Sequence, residues 1–360
     1  MSDKSPGPTI RNGLLLLLFV GFTLLVITRF ANFQDLFATL GQGNWIWVTV
    51  GIAIHVIYFY FNAILYKLSF DTVGVESSAL ELFPVTLASL FVNAVAPTGG
   101  TGGAALFIDY ASRHGQSGAK AAVGVLLTLA ADLATLVPFL LYGTIFLFQK
   151  GLMHIYLLVG ILFYLIFVIG LSAILILAKD HSDLIETLFE WVQGVVNRVG
   201  GWIHRPNLIS DSWVRKNNRD FEAGAEAIFD HPIKFSKTLA WGVFLHVVNL
   251  AGLYAFFLAY SQPIPLGILT ASFSLGVVFF IITIIPQGVG AVEGIMGLVF
   301  LSAGIPNAVT AAIIFVFRGV NFWLPVLVGL FFLRRVTTSE EEPQDEGEES
   351  EEQEPAAETE

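Results

Sequence analysis

Ala96-Pro97-Thr98-Gly99-Gly100-Thr101-Gly102-Gly103 interrupts one apolar stretch of this sequence, and Pro286-Gln287-Gly288-Val289-Gly290 interrupts another. Pro97 and Gly99 match Pro286 and Gly288 at one constant offset in residue number. The same offset, held without a gap, aligns further pairs: Gly115 with Gly304, Ala119 with Ala308, Ala122 with Ala311, and Asp132 with Asn321. Because proline and glycine interrupt helices, the sequence predicts a duplicated architecture with one broken helix in each half.

Apolar residues dominate the composition. The chain is 55% hydrophobic and only 13% charged, which excludes an ordinary soluble globule. Its apolar segments are long enough to cross or half-cross a hydrocarbon core of about 30 Å: Gly13–Ile27, Trp45–Tyr66, Leu80–Val95, Ala121–Phe148, Leu152–Ala178, Leu239–Tyr260, Leu266–Ile285, Val289–Leu301 and Ala308–Leu333. We therefore predict an all-α polytopic membrane protein with six full spans plus two broken or re-entrant helical hairpins.

Charge and composition divide the chain into regions. These are 1–12, a cytoplasmic N-terminus; 13–178, a first membrane half with the broken unit 80–115; 179–237, a cytoplasmic amphipathic connection; 238–335, a second membrane half with the broken unit 266–304; and 336–360, an acidic tail. The formal net charge of −11 comes from this tail, which has no Lys or Arg. We expect the tail to be disordered, because acidic low-complexity sequence repels itself and buries little apolar surface.

Basic residues fix the orientation of the predicted spans. They follow the second span, precede the fourth, occupy the connection and follow the last span; examples are Lys67, Arg113, Lys120, Lys179, Arg198, Arg205, Arg215, Lys234, Lys237, Arg334 and Arg335. All of them can be cytoplasmic at once, together with both termini. Each broken unit then contributes an even number of crossings. Three full spans lie between the two units, so the second unit starts from the opposite side of the membrane. The sequence thus predicts an inverted repeat in an integral protein of the cell (plasma) membrane.

The connection contains an amphipathic pattern. Apolar residues recur at helical spacing: Leu184, Leu188, Val192, Val195, Val199 and Ile203. This spacing predicts a helix that either lies on the membrane surface or packs against the protein's own membrane domain. The sequence leaves both alternatives open.

A few polar side chains fall inside the predicted spans. They are Arg318, Asn321, Glu293, Asp132, Asn93, His246 and Asn249, together with His55 and Asn62 on one side of the second span. Such groups cost several kcal/mol in hydrocarbon unless they are paired or face water, so they are candidates for a site. Arg318 either forms an ion pair with Glu293 or Asp132, or it receives a lipid phosphate or another anion while a carboxylate balances the empty site.

Backbone groups at the two breaks form a second set of candidates. The residues involved are Pro97, Gly99, Gly100, Gly102, Gly103, Pro286, Gly288 and Gly290. In the first unit we expect the next helix to begin near Ala104. Free N–H groups and the positive end of a helix dipole suit an anion, and non-helical backbone at this depth requires protein or a water-filled cavity around it.

Several chemistries are not supported by the sequence. Neither glycine cluster is followed by the Gly-Lys-Ser/Thr of a nucleotide-binding loop. The chain has no cysteine, and its seven histidines show no metal-pair spacing. We predict no metal, no cofactor, no nucleic acid and no catalytic set of residues.

The second broken unit resembles the lysylphosphatidylglycerol synthase transmembrane region family. The similarity rests on Pro286, Gly288, Gly290 and Glu293, then on Gly304, Arg318, Asn321-Phe322-Trp323 and Gly329, and it extends over roughly Leu14 to Arg335. The first unit departs from the family pattern, because Ala104 and Ala105 stand where a Gly-Glu pair is usual. Asp109 and Arg113 are the nearest charges there, at ion-pair spacing.

The resemblance implies a flippase-like protein that moves a phospholipid or polyprenyl-linked lipid head group between leaflets. The family's larger members carry a soluble aminoacyl-transferase domain, which we do not expect in this chain. An alternative is a non-catalytic membrane subunit that presents lipid to a separate glycosyl- or aminoacyl-transferase. A third interpretation is an intramembrane lipid-modifying enzyme that uses Glu293 and Asp132. Membrane lipids are the expected partners in all three cases.

Overall fold

A computed structural model describes residues 33–95, 102–180, single residues between 186 and 197, 211–283 and 288–338. Its regular structure in these ranges is helical, with no strand. The helices are α1 (Phe33–Gln42), α2 (Trp45–Thr72), α3 (Ala79–Val95), α4 (Ala104–Arg113), α5 (Gly118–Gln149), α6 (Ile155–Asp180), α7 (Asp211–Asp230), α8 (Pro232–Ala259), α9 (Leu266–Ile282), α10 (Ala291–Ser302), α11 (Asn307–Arg318) and α12 (Leu324–Thr338). A π-helical turn, Gly319–Trp323, joins α11 to α12.

Five helices are long and apolar enough to cross a membrane. They are Trp45–Thr72, Gly118–Gln149, Ile155–Lys179, Pro232–Ala259 and Asn307–Leu333. This confirms an all-α polytopic membrane protein. The predicted first span, the six apolar positions between 184 and 203 and the acidic tail beyond Thr338 lie outside the described residues. The first three residues of the predicted tail, 336–338, end α12.

The helix boundaries repeat along the chain. At the offset that aligns Pro97 with Pro286, α5 corresponds residue for residue to the helix from Asn307 to Thr338. The bounds of α2, α3 and α4 correspond within two residues to those of α8, α9 and α10. α6 and α7 are additional helices that lie between the two repeats in the chain. The duplication read from a few prolines and glycines therefore extends to whole helices.

One matched glycine pair has a direct structural role. Gly115 ends α4 with φ of +71°, and Gly304 ends α10 with φ of +86°. The next N–H groups close equivalent bonds, from Gln116 to Ala111 and from Ile305 to Phe300. This left-handed conformation is costly for residues with a Cβ atom, so the turn requires glycine in both repeats.

The two repeats are inverted with respect to each other. α2 and α8 are equivalent helices, and they lie side by side in antiparallel orientation. Near one end the N–H of Asn44, which precedes α2, donates to the Ala259 carbonyl at 2.8 Å, and near the other the Lys234 ammonium donates to the Asp71 carbonyl at 3.0 Å. Equivalent helices that run antiparallel are related by a two-fold axis across the bundle, as in inverted-repeat membrane proteins.

The long helix of each repeat packs against the other repeat. In the first repeat, α5 approaches α9 where a Cβ on Gly143 would lie only 2.6 Å from the Ala271 Cα. In the second, α12 approaches α3 where a Cβ on Gly329 would lie 2.1 Å from the Leu87 carbonyl oxygen. Small residues permit such close backbone approach in membrane bundles. The core is therefore shared between the repeats.

Sequence analysis did not identify α7, which occupies the end of the connection. Its buried residues follow helical spacing: Val214, Phe221, Ala225 and Ile228. The α5 N-cap, Ser117, donates its hydroxyl hydrogen to Asp220 at 2.6 Å and so holds α7 against the membrane bundle. The missed signal was this apolar spacing within a strongly charged segment.

Candidate functional site

A cavity of about 280 Å³ lies inside the bundle. Its walls come from α2, α3, α5, α8, α9, α10 and the π turn with its flanking helices. The lining residues that carry polar groups are Tyr58, Asn62, Tyr66, Asp132, His246, Asn249, Arg318 and Asn321. The other lining residues are apolar, among them Phe273, Val277, Phe280, Val292, Met296, Phe317, Phe322 and Val326. The cavity thus offers clustered polar groups within an apolar wall, which suits an amphiphilic ligand.

Arg318 and Glu293 form an ion pair at this cavity. The Arg318 Nε–H donates to Glu293 Oε1 at 2.6 Å, and the guanidinium carbon lies 4.7 Å from the centre of the Phe322 ring. The Arg318 side chain is only 10% exposed, whereas that of Glu293 is 25% exposed. Of the two alternatives left open by the sequence, pairing with Glu293 is the arrangement present in the structure.

Glu293 also stabilises the second break. Its other carboxylate oxygen accepts a hydrogen bond from the Gly290 N–H at 2.6 Å. Gly288 and Gly290 have φ of +61° and +89°, a conformation that glycine adopts at no steric cost. The sequence predicted that helix N–H groups here would attract an anion, and in the structure the chain's own carboxylate accepts from one of them.

The π turn aligns the polar residues of the last long helix. Arg318 precedes the turn, Asn321 and Phe322 lie in it, and Pro325 follows it; all four line the cavity. The Leu324 N–H bonds to the Gly319 carbonyl five residues back, so the turn contains one more residue than an α-helical turn. Such bulges occur frequently at functional sites. Sequence analysis did not predict this one.

Asp132 lies across the cavity from the last helix. The His246 ring nitrogen Nε2 bonds the Asp132 backbone oxygen at 2.9 Å and lies 3.7 Å from the carboxylate. Asn249, which lies on α8 with His246, accepts a hydrogen bond from the Asn321 amide at 3.4 Å. Five predicted candidates, Asp132, His246, Asn249, Arg318 and Asn321, therefore meet at one cavity, with Glu293 bound behind Arg318.

Asn93 is placed elsewhere. Its side-chain oxygen accepts the Gly103 N–H at 2.7 Å, so it closes the first break and does not line the cavity. Gly103 is buried, and a Cβ there would lie 2.7 Å from Ser89. Gly102 precedes it in the same turn, while Pro97, Gly99, Gly100 and Pro286 lie outside the described residues.

Tyr58, Asn62 and Tyr66 also line the cavity. Asn62 was one of the polar residues noted in the second span, whereas the two tyrosines were not predicted. All three recur every four residues along α2, which is the spacing of one helical face. That periodic run of hydroxyl and amide groups was the available signal. The aromatic wall from α9 had none, because that helix is apolar on all sides.

Two further observations concern which charged groups are available at the cavity. Among the described residues, no group of three acidic, histidine or cysteine side chains could hold a metal ion. Asp109 and Arg113 form a local ion pair at 2.8 Å on α4 and do not line the cavity. The charged chemistry of the cavity therefore comes from Asp132 and from the Arg318–Glu293 pair.

Comparison with known proteins gives a consistent result. The chain is similar to a UPF0104 membrane protein of Methanothermobacter thermautotrophicus, with 20% identity over 300 residues, which cover 81% of this chain and 86% of that protein. It is also similar to a UPF0104 membrane protein of Pyrococcus horikoshii, with 21% identity over 331 residues, 87% of this chain and 94% of that protein. The model of the lysylphosphatidylglycerol synthase TM region matches residues 13–329. The chain, an integral membrane protein, therefore belongs to the lysylphosphatidylglycerol synthase TM region family.

Proposed function

We propose that the protein is a flippase-like membrane protein that moves a phospholipid or polyprenyl-linked lipid head group between leaflets. The observation that carries this proposal is the Arg318–Glu293 ion pair at the wall of an amphiphilic cavity. In this proposal the protein is not an enzyme and needs no cofactor. It resides in the cell membrane with both termini in the cytoplasm.

The ion pair can act as an exchangeable contact. Arg318 has a permanent positive charge and a planar set of donors that matches a phosphate. Its carboxylate partner, Glu293, is the more exposed of the two. A lipid phosphate that enters the cavity would replace Glu293 at part of the guanidinium, and Glu293 would keep its bond to the Gly290 N–H. The charge of Arg318 is then balanced while the cavity is empty, as the cost of an isolated ion inside a membrane requires.

The apolar wall fits the rest of the lipid. Phe273, Phe280 and Met296 line the cavity beside its polar groups. An acyl or polyprenyl chain would contact these side chains, while the head group occupies the polar end. Lipid equilibration of this kind needs no nucleotide, since the lipid gradient itself sets its direction.

The proposal is tested by leaflet exchange in vesicles that contain the purified protein. The reporters are phosphatidylglycerol and phosphatidylcholine with a fluorescent acyl chain, so that the head groups are native. Arg318→Gln is expected to slow exchange of phosphatidylglycerol by at least about tenfold, because hydrogen bonds to charged groups contribute about 1.5–3 kcal/mol. Folding is checked by size exclusion and thermal unfolding.

The inverted repeat supplies a matched control. Leu129 occupies the position equivalent to Arg318 in the first repeat, and it is 38% exposed on the outside of the bundle. Leu129→Gln places the same side chain at the same point of the repeat, away from the cavity, and is expected to leave exchange unchanged. Unchanged exchange in Arg318→Gln would remove the head-group site from the proposal. No exchange of any lipid by folded wild type would instead favour an accessory subunit for a separate transferase.

A further inference from the structure

Each long helix packs against two different helix pairs, α3–α4 and α9–α10, on either side of its middle. The start of α5 meets α4, where a Cβ on Gly118 would lie 3.1 Å from Ile108, whereas its second half meets α9 beside Gly143. In the second repeat, α11 meets α10 beside Gly297, and α12 meets α3 beside Gly329. Each long helix therefore passes from the helix pair of one repeat to that of the other.

This packing divides much of the bundle into two bodies. The first body contains α3, α4, α12 and the start of α5 up to residue 129. The second body contains α9, α10, α11 and the end of α5 from residue 139. Both long helices run through both bodies, so a relative movement of the bodies has to bend these helices where they pass from one body to the other.

The helix from Asn307 to Thr338 is interrupted at this passage. The π turn Gly319–Trp323 lies there. A Cβ on Gly319 would meet no atom within 4 Å, and Pro325, just after the turn, has no N–H to donate to the helix. Glycine, proline and π bulges are the usual causes of helix bending. All three occur here within seven residues.

α5 is loosened at the equivalent position. The π turn corresponds to residues 130–134 of α5. Three successive backbone carbonyls in this turn, those of residues 131–133, accept side-chain hydrogen bonds: from Thr135 at 2.7 Å, from His246 at 2.9 Å and from Tyr164 at 2.8 Å. Side chains that bond to helix carbonyls compete with the helix N–H groups and favour bending.

Pro138 follows the loosened turn of α5, as Pro325 follows the π turn. It lies inside the helix and has no N–H to donate to the carbonyl of Ala134. It is exposed on the outside of the bundle and does not line the cavity. Both long helices therefore have a proline just after a loosened turn, at nearly the same position of the repeat.

The cavity lies at the level of both turns. Asp132 in the first turn and Asn321 in the second are repeat equivalents, and both line the cavity. Arg318 and Glu293 belong to the second body, whereas the chain beyond Phe322 continues into the first. Bending at the turns therefore moves opposite walls of the cavity relative to each other.

We propose that residues 130–138 and 319–325 are paired hinges, about which the two bodies tilt so that the cavity opens first to one membrane face and then to the other. The inference rests on the proposed function, because it assigns the movement that leaflet exchange through this cavity requires. Hinges of a few residues that absorb the change in backbone angles are a common basis of such rigid-body motion. In inverted repeats, exchange of the two repeat conformations converts one end state into the other.

The first test straightens each hinge without altering a cavity side chain. Pro138→Ala restores the missing N–H, and deletion of Gly319 removes the extra residue of the π turn. Both variants are expected to melt at or above the wild-type temperature, because they complete helical hydrogen bonding. Both should slow leaflet exchange of acyl-labelled phosphatidylglycerol by at least about tenfold, since bending then breaks a regular helix. Pro84→Ala makes the same backbone change inside α3, within one body, and should leave exchange unchanged.

The second test measures the tilt directly and needs no transport. The chain has no cysteine, so spin labels can be attached at Leu80→Cys on the first body and Phe148→Cys on the second, both exposed. These positions are not repeat equivalents, so their separation differs between the two end states. Electron paramagnetic resonance in lipid nanodiscs is expected to give two distances in the otherwise wild-type chain and one in each straightened variant. Phe148→Cys with Leu301→Cys, both on the second body, should give one distance throughout.

The two tests separate the inference from the proposed function. Two distances that merge into one in the straightened variants, without exchange of any lipid by wild type, would support the hinges and overturn the flippase proposal. Exchange that is as fast in both straightened variants as in wild type would overturn the hinges and leave the flippase proposal intact. A single Leu80–Phe148 distance in every form would overturn the hinges whatever the exchange rate.

Discussion

The two broken helices perform the same backbone task with different chemistry. In the first repeat a neutral amide, Asn93, accepts the Gly103 N–H at 2.7 Å. In the second a carboxylate, Glu293, accepts the Gly290 N–H at 2.6 Å and also binds Arg318. The repeat equivalents of Glu293 and Arg318 are the apolar Ala104 and Leu129.

This difference shows which groups the backbone of a break requires and which it does not. The first repeat demonstrates that a break of this kind can be closed without any charge. The ion pair in the second repeat therefore exceeds what the backbone requires. Since buried ion pairs contribute little net stability compared with apolar residues, stability alone does not account for the pair, and the proposed function assigns it a role at the cavity.

The largest expected effect comes from breaking that pair in the second repeat. Glu293→Ala leaves the Arg318 charge uncompensated and removes the acceptor of the Gly290 N–H. We expect the free energy of unfolding to fall by about 3 kcal/mol, within the roughly 3–5 kcal/mol seen when one partner of a buried pair is removed. Thermal or denaturant unfolding in detergent measures this change.

A double variant makes the second repeat chemically like the first. Glu293→Ala with Arg318→Leu installs the residues found at the equivalent positions. We expect it to recover most of the stability lost in Glu293→Ala, because a whole pair can be replaced by apolar residues at little cost. Lipid exchange should be lost, because Arg318 is absent. If the double variant were as unstable as the single one, the pair would be needed for folding and the comparison would lose its functional meaning.

An intermediate effect is expected at the contact between α12 and α3. Gly329→Ala places a methyl group 2.1 Å from the Leu87 carbonyl oxygen, so the helices must separate. Forced overpacking of this kind costs about 1–3 kcal/mol. Gly297, inside α10, is the control: a Cβ there would have its closest neighbour at 3.6 Å, and Gly297→Ala should stabilise the protein by about 0.5–1 kcal/mol. Equal melting temperatures for the two variants would contradict the described packing.

The smallest effect is expected at the first break. Asn93→Ala removes the neutral acceptor of the Gly103 N–H and should lower the free energy of unfolding by about 1 kcal/mol, the typical contribution of an uncharged hydrogen bond. Lipid exchange should persist, because Asn93 does not line the cavity. A loss of exchange in a variant that melts close to wild type would assign the first break a direct role in transport.

Sequence reasoning identified the features that depend on composition and on local backbone chemistry. The apolar spans, the start of α4 at Ala104 and the duplicated turn glycines Gly115 and Gly304 belong to this group. The candidates Arg318 and Asp132 were identified because charged residues are rare within membrane spans.

Features that depend on tertiary packing were not accessible in the same way. The choice of Glu293 as the partner of Arg318 depends on how α10 meets α11. The placement of Asn93 at the first break, away from the cavity, depends on where α3 ends relative to Gly103. The π turn at Gly319–Trp323 adds one residue to a helix, and the hydrophobic pattern of the sequence does not indicate it.

The long helix of each repeat packs against the other repeat, and this packing limits how a single repeat could assemble. α12 of the second repeat covers α3 of the first, and α5 of the first covers α9 of the second. A single copy of the repeat would leave that face of its α3 uncovered, and two copies could cover each other only in antiparallel orientation. For a single repeat to form the same contacts, two copies would have to insert into the membrane in opposite orientations, as a dual-topology dimer.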